Sequence, residues 1–115
     1  MTAARIQRGE IWTVNLNPTL GHEQSGIRPG LVVSVDPFND CPAELVVVLP
    51  ITTRDRRIPF HVRVEPSESG LREISFIKCE DVRSVAKERL SKRLGSISRG
   101  TLDAVEDRLR ILMGL

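Results

Sequence analysis

Gly30-Leu-Val-Val-Ser-Val35 and Glu44-Leu-Val-Val-Val-Leu49 are two aliphatic runs of strand length, separated by a Pro/Asn/Asp segment from Asp36 to Pro42. β-branched residues suit a pleated surface, and Pro, Asn and Asp suit the turn between. Neither run alternates with polar residues, so each is expected to be buried on both faces. Pro50 is expected to close the second run, because it cannot donate to a central ladder. Working backwards, Glu10 to Leu16 alternates, with Trp12, Val14 and Leu16 on one face and Ile11, Thr13 and Asn15 on the other. That is a strand. Between these strands lies Asn17-Pro-Thr-Leu-Gly-His-Glu-Gln-Ser-Gly-Ile-Arg-Pro29, a long loop without apolar periodicity. Loops of this length in small domains tend to carry function.

Working forwards, Thr52 to Arg57 reads as a polar, basic loop. Phe60, Val62 and Val64 then alternate with His61, Arg63 and Glu65, which places His61 and Arg63 on the outer face of a half-buried strand. Pro66 to Arg72 is a turn, Ile74 to Cys79 and Leu94 to Ile97 are further strands, and Ala86 to Arg89 suits a short helical turn. Leu102, Val105, Leu109 and Leu112 recur at helical spacing and form an apolar stripe expected to be core. Asp103, Glu106, Asp107 and Arg110 face out; Ser98 or Thr101 can cap the start, and Gly114 the end. Many short strands closed by one helix predict a mainly β fold with a C-terminal helix, a small antiparallel barrel or strongly twisted sheet.

The 115 residues suffice for one domain, here residues 8–115 after a flexible tail at 1–7. Two isolated cysteines, Cys41 and Cys79, build neither a metal site nor a disulfide framework. The first residues lack a signal-peptide core, and no apolar run is long enough for a membrane span, so a cytoplasmic protein is expected. The net charge of +2 says little about partners. Its distribution says more: Arg54 to Arg63 holds four Arg against Asp55, and Arg83 to Arg99 holds six basic residues against Glu88. Such patches attract phosphates, or simply solvate an edge.

Three ordered stretches resemble the MazF/PemK family of toxin–antitoxin ribonucleases. They are Arg8-Gly-Glu-Ile-Trp12 through Asn17-Pro-Thr-Leu-Gly21, Glu23-Gln24, Gly26-Ile-Arg-Pro29 and Leu31-Val-Val-Ser34; Leu49-Pro-Ile-Thr-Thr53 with Ile58-Pro-Phe60; and Ile77-Lys-Cys-Glu-Asp-Val-Arg-Ser84 with Arg89-Leu90 and the closing Leu112-Met-Gly-Leu115. The resemblance implies an SH3-like barrel of the kind shared by MazF and CcdB toxins. It also implies a homodimer, a MazE-like antitoxin partner, and sequence-selective cleavage of single-stranded RNA without metal or other cofactor. Attack by the 2′-OH would leave 2′,3′-cyclic phosphate and 5′-OH ends. On this sequence the family's functional arginine and threonine fall on Arg28 and Thr52.

Such chemistry needs a proton acceptor for the 2′-OH, a donor to the leaving oxygen, and stabilisation of the phosphorane. Arg28 offers a planar fork of donors suited to phosphate oxygens, but stays protonated and so makes a poor base. Glu23, five residues earlier, is expected to assist proton removal or to orient Arg28. Thr52 can donate its hydroxyl. Gln24, Thr53, Arg54, Arg56, Arg57 and His61 are expected to bind RNA. Three rival readings remain: an acid–base pair of His22 and His61, a non-catalytic CcdB-like toxin that binds a protein target such as gyrase, and a plain RNA- or protein-binding barrel.

Overall fold

In the computed structural model, which describes residues 5–115, the two aliphatic runs are adjacent antiparallel strands. The described elements are β1 (Glu10–Asn15), β2 (Ile27–Val32), α1 (Asp36–Asn39), β3 (Leu45–Thr52), β4 (His61–Val64), α2 (Pro66–Ser69), β5 (Ser75–Lys78), β6 (Arg83–Ala86), a 3-10 turn at Lys87–Arg89, β7 (Leu90–Ser96) and α3 (Arg99–Met113). The strands lie in the order β4-β5-β3-β2-β1-β7, and β6 pairs with a separate stretch of β3. Every pairing is antiparallel. The expected mainly β small barrel with its C-terminal helix is borne out, and the short helical turn falls at Lys87–Arg89.

The central strands are buried on both faces, as their lack of alternation implied. Ile11, Leu31, Leu49 and Ile51 enter one core with Val62, Val64, Ile77, Cys79 and Val105. Their neighbours Trp12, Val14, Val32, Val46 and Val48 enter a second core with Ile6, Leu16 and Val85. Covering two faces at once is what allows so short a chain to bury continuous aliphatic runs.

Several expectations are corrected. Strand β2 begins at Ile27, so Arg28 stands on a strand rather than in the loop. Pro50 does not end its strand, which runs on to Thr52. The reason lies in the edge that Pro50 presents. Val33 N–H donates to the Val47 carbonyl, so odd-numbered residues of β3 bond towards β2 and Pro50 faces the other side. There β6 pairs with Leu45 to Val48 and β5 with Ile51 and Thr52, leaving Pro50 in the gap between partners. The missing N–H costs no ladder bond. Of the expected tail, residues 1–4 lie outside the described residues, whereas Ile6 is buried in the second core and Arg5 pairs with Asp40. The strand at Arg83–Ala86 was not foreseen.

Helix α3 keeps its expected caps: Ser98 Oγ accepts from the Thr101 amide, and Gly114 is left-handed. Its apolar stripe is core only in part. Val105 is fully buried and Leu109 packs against the first core, but Ile111, Leu112 and Met113 are exposed. Glu106 does not face solvent either; it is half-buried against Arg8, whose Nε also donates to the Val33 carbonyl. The Arg8 hydrogen bond holds the Glu106 carboxyl below its ordinary range against the opposing effect of burial, and the charges of Arg8, Arg99 and Arg110 add to it.

Two glycines allow α2 to press on β7. A Cβ on Gly95 would lie 2.1 Å from the Ser69 carbonyl oxygen, and one on Gly70, at φ +77, would lie 2.4 Å from that of Leu94. Gly95→Ala is therefore expected to lower stability by about 2–3 kcal/mol and Tm by about 10 °C in a circular-dichroism melt. An unchanged Tm would show that the two backbones separate freely. Glu106→Gln is expected to cost about 1 kcal/mol at neutral pH in denaturant titrations. A depressed carboxyl stabilises fully above its unfolded-state pKa, so the deficit should begin to shrink as pH falls below about 4.3 and vanish once pH has passed the lower folded-state value. A deficit independent of pH would assign it to packing instead.

Candidate active site

The β2–β3 ladder pairs Gly30 with Pro50, Leu31 with Leu49 and Val32 with Val48. Continuing that register two residues past Gly30 sets Arg28 across from Thr52. Residues 28, 30 and 32 share one face by strand periodicity, so the two polar side chains stand at the same end of the same surface. Both line a cleft of about 900 Å³. Its other walls are Gly21 to Ser25 of the long loop, Thr53, Arg54, Arg56 and Ile58 after β3, and Lys78, Glu80 and Asp81 at the end of β5.

The contacts of each residue narrow its chemistry. Arg28 is exposed, and its Nε–H donates to the Ser25 carbonyl at 3.2 Å. Among the described residues it has no ion-pair partner, so both terminal nitrogens remain available to an anion. Thr52 Oγ1 accepts from the Arg54 amide at 3.2 Å, the turn expected of a threonine at a strand end, and this leaves its hydroxyl hydrogen free to donate. Glu23 does not orient Arg28. Its Oε1 accepts from the Leu20 amide at 3.1 Å.

Gln24, Thr53, Arg54 and Arg56 line the cleft together with Arg28, Thr52 and Glu23. Arg57 and His61 do not. Arg57 sits at φ +54 with its amide bonded to Asp55, and lies outside the lining. His61 was expected on the outer face, yet its side chain is only 3% exposed, with Nε2 2.8 Å from Glu80 Oε2. Its Nδ1 is buried without a partner. His61 therefore meets the cleft only through Glu80. His22 does line it, so the structure does not bring the two histidines together as an acid–base pair.

Sequence reasoning passed over Lys78, Glu80, Asp81 and Arg83. The signal was present as Ile77-Lys-Cys-Glu-Asp-Val-Arg83, but only the pairing of β5 and β6 with β3 brings it beside the loop. Burial alone would raise the Asp81 carboxyl. Hydrogen bonds from Arg83 and the Gln24 amide, with the charges of Arg83 and Lys78, outweigh that and hold it below the ordinary range. Cys79 is no nucleophile: burial, with the adjacent Glu80 charge, pushes its thiol up to about 12.

The basic segment from Arg83 to Arg99 does not line the cleft. Arg89 donates to the carbonyls of Asn15 and Asn17, Arg93 pairs with Glu10, and Arg99 with Asp103. Among the described residues no group of three or more His, Cys, Asp or Glu is placed to hold a metal ion. No described helix is long and apolar enough to cross a membrane.

Known proteins match this chain over nearly its whole length. Endoribonuclease MazF9 of Mycobacterium tuberculosis (strain ATCC 25618 / H37Rv) is 33% identical over 115 residues, covering 96% of this chain and 98% of that protein. The crystal structure of MazF from Deinococcus radiodurans superposes with a TM-score of 0.85 at 27% identity, covering 98% of this chain and 100% of that one. An endoribonuclease from a mycobacterial species, solved in complex with its cognate antitoxin, has a TM-score of 0.80 at 25% identity, covering 96% of each chain. A family model described as the PemK-like, MazF-like toxin of type II toxin–antitoxin systems matches residues 7–113, which takes in both strands and every wall of the cleft, and the chain belongs to that family.

Proposed function

We propose that the cleft is where this toxin-family endoribonuclease cuts single-stranded RNA. The observation that carries the reading is Arg28, a strand-borne guanidinium with two uncommitted nitrogens, lining one cleft with the hydroxyl of Thr52. The 2′-oxygen attacks the adjacent phosphorus, and the bond from phosphorus to the 5′-oxygen breaks. The leaving 5′-oxygen takes a proton from solvent at the open cleft, and cyclic phosphate and 5′-OH ends result. Arg28 neutralises charge growing on the non-bridging oxygens, and Thr52 donates to one of them. Glu23 takes the 2′-OH proton, through the carboxylate oxygen not used by the Leu20 amide. Arg54 and Arg56 hold flanking phosphates, while Gln24 and Thr53 supply hydrogen bonds to the strand.

This chemistry needs no metal. A MazE-like antitoxin occupying the cleft, assembly as a homodimer and a cytoplasmic location complete the reading. The exposed apolar end of α3 (Ile111, Met113 and Leu115) is surface available for a second copy.

On a mixed-sequence RNA pool in EDTA, the purified protein is expected to yield discrete fragments with cyclic-phosphate ends. Arg28→Ala should cut about 10²–10³-fold more slowly, and Thr52→Val about tenfold. Glu23→Gln should flatten the acidic limb of the pH–rate profile. Arg28→Ala protein as fast as the parent would overturn the reading, and an unaltered pH profile would remove Glu23. Phosphate contacts are tested by salt. Arg54→Ala and Arg56→Ala should each reduce the salt slope of RNA binding by about 0.7, and Arg57→Ala should leave it in place. Equal effects from all three would mean general charge rather than the cleft.

A further inference from the structure

The aim of Arg28 depends on Ser25, because the Ser25 carbonyl is the acceptor that fixes its Nε–H. Ser25 belongs to a loop with no secondary structure of its own, so something else must hold it. That hold is on its neighbour Gln24. The Gln24 amide donates to Asp81 Oδ2 at 3.0 Å, its carbonyl accepts from Arg83 Nη2 at 2.5 Å, and its side-chain oxygen accepts from Lys78 Nζ at 3.4 Å. Asp81 and Arg83 are themselves joined by two parallel bonds, Nε to Oδ1 at 3.0 Å and Nη2 to Oδ2 at 2.8 Å. Arg83 Nη1 also donates to the carbonyl of Leu16, where the loop begins, at 3.4 Å.

The pair is largely sheltered, with side chains 11% and 13% exposed. Arg83 stands on β6 opposite Val48 of β3, the strand that also carries Thr52. A buried ion pair serving only stability is often replaceable by apolar side chains. This one directs hydrogen bonds at both backbone groups of a single loop residue, Gln24, and at the carbonyl where the loop begins. Its geometry refers the loop to the same ladder that positions the threonine.

We propose that Asp81 and Arg83 are positioning residues for Arg28: a clamp that fixes the Gln24–Ser25 backbone and, through the Ser25 carbonyl, aims the guanidinium at the scissile phosphate. The proposal rests on the cleft being the site of RNA cleavage. A clamp of this kind acts on orientation rather than on binding. A displacement of about 1 Å at a reacting group can cost on the order of 10²-fold in rate.

The test is steady-state cleavage of a mixed-sequence single-stranded RNA pool by the full chain, with amide hydrogen exchange read at Gln24. Arg83→Gln is expected to lower kcat on the order of 10²-fold with KM changed by less than about threefold. Arg83→Lys keeps the charge but not the fork, and should not restore the rate. Asp81→Asn retains shape and one acceptor, and should lower kcat about tenfold while the Gln24 amide exchanges faster. The double variant Arg28→Ala/Arg83→Gln should be no slower than Arg28→Ala alone, since a lost aim cannot be lost twice. Should Arg83→Gln fail to fold, Asp81→Asn combined with Arg28→Ala decides by the same comparison. Unchanged kcat in the folded single variants, or losses that multiply in the double, overturn the clamp while cleavage stands. A parent protein that leaves the pool intact overturns the cleavage reading itself.

Discussion

The backbone ladder between β2 and β3 is the constraint on which the site depends. Leu31 faces Leu49 across it and both lie in the first core, while Val32 faces Val48 and both lie in the second. A slip of one residue would exchange the two sets, turning every side chain to the opposite face. Register is usually specified by one buried face; here two faces specify it. Arg28 and Thr52 inherit their relation from that packing. The proposed chemistry stands two residues beyond the last buried pair, close enough to be held by it and far enough to be wet.

Charge in the cleft is arranged by subtraction. Three carboxylates line it, an odd choice for a surface that meets a polyanion. Glu23 gives one oxygen to the Leu20 amide, Glu80 lies against His61, and Asp81 is held by Arg83 and Gln24. Lys78 leans towards Asp81 at 3.7 Å. Among the described residues, Arg28, Arg54 and Arg56 have no ion-pair partner. These three arginines are the cations that the cleft leaves open to a ligand, and the chain's net charge of +2 gave no sign of them. The longer basic run from Arg83 to Arg99 misled in the opposite direction, because Arg89, Arg93 and Arg99 are used to join β1, the loop base and α3 internally.

The parts legible in the sequence were those governed by local period. Alternation marked β1 and β4, aliphatic runs marked β2 and β3, and helical spacing with Ser98 and Gly114 marked α3. The errors occurred where a distant partner decides. Pro50 looked like a stop because the gap between β5 and β6 depends on Phe76, Ile77 and Arg83, far along the chain. His61 followed the period of its strand and so looked exposed, but Glu80 in the next hairpin covers it. Arg57 looked like its neighbours Arg54 and Arg56, and a left-handed backbone turned that stretch of loop away. The loop clamp spans 57 and 59 residues of sequence, and no window along the chain contains both ends.

The unpaired arginines also separate a catalyst from a plain binding barrel. Crowding cations without local partners adds self-repulsion that destabilises the fold. Surfaces that dock proteins usually place apolar and aromatic anchors at the centre and leave charge to the rim. This cleft does the reverse: guanidinium, hydroxyl and carboxylate occupy the middle, and Ile58 is its one aliphatic wall. Such a set returns its energetic cost only when an anion enters, and most fully when that anion gains charge, as a phosphodiester does on the way to a phosphorane. A side chain meant merely to hold a phosphate can tolerate a mobile loop behind it. One meant to meet a transition state cannot, and on the proposed reading that is why a sheltered ion pair is directed at the backbone of one loop residue.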